Sequence, residues 1–75
     1  MENNKIIKVW FENDKVFINT LSGETLNHPL KWFPRLFKAT EEEKNSFEIT
    51  PFGIHWDLID EDLSLEGFYT YKPTA

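Results

Sequence analysis

Between His55 and Asp62 the chain gathers the side chains best suited to chemistry: one imidazole and the four carboxylates of Asp57, Asp60, Glu61 and Asp62. Three kinds of chemistry use such groups. A divalent cation takes oxygen and imidazole ligands converging from several directions, and His55, Asp57 and the acidic run could offer three. Against this, the segment has no glycine-centred calcium loop, and His28, the other histidine, is of unknown position. General acid–base catalysis needs two carboxyl groups roughly 5–10 Å apart in a concave site, which neighbours on one turn seldom provide. The sequence also lacks a nucleophile with an evident base and a Gly-rich phosphate loop. The expectation is therefore no catalytic residue, no metal ligand and no cofactor. What remains is recognition of a partner by charge.

The charge is unevenly spread. Net charge is −5, but residues 1–40 carry six basic and four acidic side chains, whereas residues 41–75 carry two basic and nine acidic. Nucleic-acid binders neutralise phosphates with clustered Lys and Arg, so direct nucleic-acid binding by the acidic half is disfavoured and a basic protein partner is favoured. An acidic surface that merely keeps a small protein soluble is the plain alternative. With no Cys, no signal-peptide pattern and no long apolar run, the chain reads as cytoplasmic and without a membrane span.

The elements that must position these residues follow from pattern. Seventy-five residues suit one small domain spanning 1–75, whose core must come from its large rings: three Trp, seven Phe and two Tyr. Lys5–Phe11 and Lys15–Thr20 read as strands joined by the turn residues Glu12-Asn13-Asp14. Leu21-Ser22-Gly23-Glu24 leads to a third short strand, Thr25–His28, completing an antiparallel meander. Leu30, Phe33, Leu36 and Phe37 recur at helical spacing. Pro34 requires that helix to start near Lys31 or to kink. Thr40 with Glu43 makes a capping box for a helix over about 41–46. Phe47–Thr50 and Ile54–Trp56 form a second hairpin across Pro51-Phe52-Gly53. Ser64 can cap a last short helix from Leu65, weakened by Gly67 and stopped by Pro73. The fold class is α+β: a small antiparallel sheet, built of a three-stranded meander plus a second hairpin, covered by short helices.

Two readings of the segment Trp32-Phe33-Pro34-Arg35-Leu36 stand side by side. In one, Phe33 and Leu36 pack on the sheet and Arg35 pairs with carboxylates of residues 60–62. In the other, Trp32 and Arg35, residue types enriched at binding hot spots, form an exposed recognition patch. Trp56, alternating with Ile54, belongs to the core. Together with Trp32 and Arg35, the candidate partner-binding residues are Asp57, Asp60, Glu61 and Asp62.

Trp32-Phe33-Pro34-Arg35-Leu36, Ala39-Thr40 before the Glu-rich turn, and Gly53-Ile54-His55-Trp56 leading to Asp60-Glu61-Asp62-Leu63-Ser64-Leu65-Glu66-Gly67 resemble small bacterial and phage proteins grouped as domain of unknown function 2442. Asp57 stands where that family usually has Pro after the Trp. The resemblance implies a compact α+β domain, and many members are encoded beside another small protein in pairs of suspected toxin–antitoxin type. Residues and resemblance together lead to a non-enzymatic, acidic protein-interaction module, alone or as a homodimer. Its expected partner is a small basic protein encoded nearby. The alternative is a small regulator that binds nucleic acid or a small ligand through the more basic N-terminal half.

Overall fold

The computed structural model describes residues 4–70. It contains two three-stranded antiparallel sheets and three short helices. The first sheet is the meander β1 (Ile6–Glu12), β2 (Lys15–Thr20) and β3 (Thr25–Pro29). Asn13 and Asp14 both take positive φ, 53° and 60°, between the paired residues Glu12 and Lys15. Two successive left-handed residues make the two-residue hairpin turn whose twist matches that of its strands, and Asn and Asp tolerate this backbone best after Gly. The register slips between Ile6 and Lys8. That bulge resets the two-residue alternation, so Ile6 on one side of it and Val9 and Phe11 on the other all meet the core.

Leu30–Trp32 form a single 3-10 turn, and α1 (Pro34–Phe37) follows with Pro34 at its first position. The expected Pro34 disruption is thus resolved by splitting one helix into two pieces. Proline is harmless at a first helical position, where its missing N–H has no partner to lose. In α2 (Glu41–Asn45) the reciprocal capping box is present: Glu43 N–H donates to Thr40 Oγ1 at 3.1 Å, and Thr40 N–H donates to Glu43 Oε1 at 2.9 Å.

The second hairpin, β4 (Phe47–Thr50) and β5 (Gly53–Trp56), acquires a third strand that the pattern did not reveal, β6 (Glu61–Ser64). Gly53 is needed here because β6 lies so close. A Cβ at that position would sit 2.0 Å from the Leu63 carbonyl oxygen and 2.7 Å from Ser64 Cα. Ser64 then caps α3 (Leu65–Thr70), its Oγ accepting the Gly67 N–H at 2.9 Å. Pro73, expected to end this helix, lies outside the described residues.

Inner faces of both sheets share one core of Val16, Ile18, Ile54, Trp56 and Leu63, closed by Leu30, Leu36 and Phe68. Phe33 packs on its margin. Trp56 has no exposed surface, and its Nε1–H donates to the Lys44 carbonyl at 2.9 Å, which joins α2 to the core. Burying an indole is favourable only when that N–H finds an acceptor. Among the described residues, no helix is long and apolar enough to cross a membrane.

Candidate functional site

Strand alternation turns Ile54, Trp56 and Leu63 inward, and therefore turns His55 and Asp62 outward. The register then places Glu48, His55 and Asp62 in one row across β4, β5 and β6. Directly opposed residues have Cβ atoms about 4.5–5.5 Å apart, within reach of one another's polar atoms. His55 Nδ1 lies 2.6 Å from Asp62 Oδ1, and Nε2 lies 3.3 Å from Asp57 Oδ1. Asp57 has entered the loop after β5, so it reaches back to the second ring nitrogen while staying largely in solvent.

This arrangement favours the protonated imidazole. A neutral ring donates from one nitrogen only and would turn a lone pair toward the other carboxylate, whereas imidazolium donates from both. The hydrogen bond with Asp62, and then that with Asp57, raise the His55 pKa above its ordinary value. Both ring nitrogens face a carboxylate, Nδ1 toward Asp62 and Nε2 toward Asp57. Among the described residues, no group of three or more His, Cys, Asp or Glu side chains is arranged to hold a metal ion.

The acidic run expected to act together is divided by the fold. Asp60 sits in the loop with φ 54°, Glu61 begins β6 opposite Trp56 and is partly buried, and Asp62 faces outward. Period-2 alternation forces this division: adjacent residues on a strand cannot share a face. Arg35 does meet the segment. Its Nη1 donates to the Asp60 carbonyl oxygen at 2.7 Å and lies 3.8 Å from the Asp60 carboxylate. Trp32 joins a different group: half-buried, its ring meets His28 at a centroid distance of 5.3 Å.

His28 marks the seam between the two halves. It is 4% exposed and stacks on Phe68 at 4.3 Å, with Phe33 at 5.4 Å. A small cavity of about 210 Å³ beside it is lined by Phe33, Asp62, Leu63, Ser64 and Gly67. Burial lowers the His28 pKa, and a hydrogen bond to the Gly67 backbone opposes that only in part.

Glu48 belongs with the candidate residues and was missed. Once Phe47 and Trp56 are paired, counting one residue along each strand places it opposite His55, so the signal lay in the hairpin register. Phe52 and Tyr69, both exposed, were also missed, because neither position breaks a pattern.

A pair of three-stranded antiparallel sheets with short helices, carrying a carboxylate-flanked histidine on one outer face, defines a small α+β domain. The chain belongs to the DUF2442 family, described as "Protein of unknown function", whose model matches residues 6–74. It is similar to a protein of unknown function from Rhodospirillum rubrum ATCC 11170 of solved crystal structure. The two are 26% identical, with 88% of this chain and 84% of that chain covered and a TM-score of 0.73. No curated protein matches the chain.

Proposed function

We propose that this domain is a non-enzymatic interaction module of the cytoplasm that holds a small basic protein against the outer face of its second sheet. One observation carries the reading: the exposed carboxylates of Glu48, Asp57 and Asp62 surround a single imidazole, His55, on that face. The row keeps a negative surplus even with the imidazole charged. Both ring nitrogens of His55 are engaged by carboxylates, those of Asp62 and Asp57, which supports the non-enzymatic part. The family resemblance gives the partnership its form, an antitoxin-like protein that sequesters the product of a neighbouring gene. Arg35 serves this surface indirectly by securing the Asp60 loop.

Association with a basic partner is expected to be steered electrostatically and to slow as salt rises, since charges beyond about 8–10 Å are screened near physiological ionic strength. Glu48→Lys with Asp57→Lys changes two exposed positions and should slow association with the neighbouring gene product at low salt, leaving the melting curve nearly unchanged. Association rates that match the wild type at every ionic strength would remove this face from the interface.

A second reading has its own observation. Trp10 and Phe17 stack at 5.3 Å on the outer face of the first sheet, with Lys8 Nζ 5.2 Å from the Trp10 ring. Aromatic rings beside a cation on a sheet are what a single-stranded nucleic acid uses. Glu12, whose Oε1 accepts the Trp10 Nε1–H at 3.3 Å, opposes phosphate there. A salt-dependent mobility shift with an oligonucleotide, lost in Trp10→Ala, would favour this reading.

A further inference from the structure

The turn between β4 and β5 displays Phe52 with 82% of its surface exposed, the most of any large apolar residue among those described. Its backbone is not slack. Thr50 Oγ1 accepts the N–H groups of Phe52 and Gly53 at 3.2 and 3.1 Å, and the Phe52 carbonyl accepts the Leu65 N–H at 2.9 Å. A ring held out by an anchored turn adds little to the core and stays largely hydrated, and so is open to a partner.

Phe52 borders a groove of about 690 Å³ shared with Ser64, Leu65, Glu66 and Tyr69. Tyr69 is 46% exposed, and its ring is fixed by its hydroxyl, which donates to Glu24 and accepts from Asn4 Nδ2 at 3.3 Å. Glu66 is exposed, and no basic side chain lines the groove among the described residues. Ser64 pairs with Gly53 on the face that carries His55 and Asp62, so the groove continues the acidic face at its far end. Two aromatic rings, the carboxylate of Glu66 and an apolar floor at Leu65 match one side chain above others. Guanidinium is planar and weakly hydrated, stacks on rings and binds carboxylates with a fork of donors, and its aliphatic stem suits an apolar floor.

The geometry points to this groove as the anchor site for an arginine of a basic partner segment that lies along the acidic face. The inference rests on the reading of the chain as a binder of a basic protein, and adds where the anchoring side chain goes.

The test uses the full chain, isotope-labelled, titrated with a capped hexapeptide of alternating arginine and leucine. Amide resonances of Phe52, Leu65 and Glu66 should move. Phe52→Ala and Glu66→Gln should each weaken binding by about threefold or more, and replacing arginine by its neutral isostere citrulline should abolish it. Both substitutions are at exposed positions, and unchanged resonances in the core report that each variant is folded. Shifts confined to Asp57 and Asp62 would overturn the groove and leave the acidic-face reading standing. Absence of shifts anywhere, or wild-type affinity in both variants, would also overturn it. Concentration-dependent shifts at Phe52 without peptide would assign the groove to a second copy of the chain instead.

Discussion

Arg35 holds Asp60 by its backbone more closely than by its charge: Nη1 is 2.7 Å from the carbonyl oxygen and 3.8 Å from the carboxylate. The guanidinium therefore secures a loop whose last residue is in the left-handed region, φ 54°. Both side chains are well exposed, so the ionic part is weak. Asp60→Asn should change stability by less than about 0.5 kcal/mol. Arg35→Ala removes a charge-assisted donor and should cost about 1–2 kcal/mol. Urea denaturation of both variants checks this, and equal losses would mean that the carboxylate is the partner that matters.

Asp60 also allows a test of its backbone. Glycine adopts positive φ without steric cost, so Asp60→Gly should be neutral or slightly stabilising, whereas Asp60→Ala should destabilise by about 1 kcal/mol. The order of the two melting temperatures reads this directly.

Trp56→Ala should cost about 3–5 kcal/mol, a large share of what a domain of this size has. Trp56→Phe separates packing from hydrogen bonding. It keeps an aromatic ring but leaves the Lys44 carbonyl without its donor, for an expected loss of about 1–3 kcal/mol. Melting near wild-type temperature in Trp56→Ala would contradict complete burial.

Gly53→Ala should be more damaging than a surface glycine normally is. Its Cβ has to displace the Leu63 carbonyl and so unpair β5 from β6, at a cost of about 3 kcal/mol or more. Loss of hydrogen-exchange protection should concentrate in those two strands.

The two histidines should titrate on opposite sides of the ordinary value near 6.5. His55 is raised by Asp62 and Asp57, so its contribution to stability is complete below about 6.5 and is lost as pH rises through its folded value. His28 is lowered by burial, so the unfolded chain binds the extra proton first, and stability falls as pH drops below about 6.5. Imidazole resonances followed against pH report both. Asp62→Asn should bring the His55 midpoint down while leaving that of His28 in place.

Local features were legible in the sequence because their causes are local. Alternating apolar residues, the Thr40–Glu43 box, the Ser64 cap and the turn at Asn13-Asp14 act within a few residues and do not depend on distant neighbours. The core positions of Leu36, Ile54 and Trp56 follow from the same periodicities. What tertiary structure alone decided is which sides of these elements face each other. β6 was hidden because Glu61-Asp62-Leu63-Ser64 offers a single inward residue, too little for a strand pattern; pairing with β5 makes the strand. That pairing divides the acidic run: Asp62 goes to His55, Asp60 to Arg35, and Glu61 to the neighbourhood of Trp56. A run of like charges along a chain is a composition, whereas a binding face is a register, and register is set by hydrogen bonds between strands that the linear order of residues does not contain.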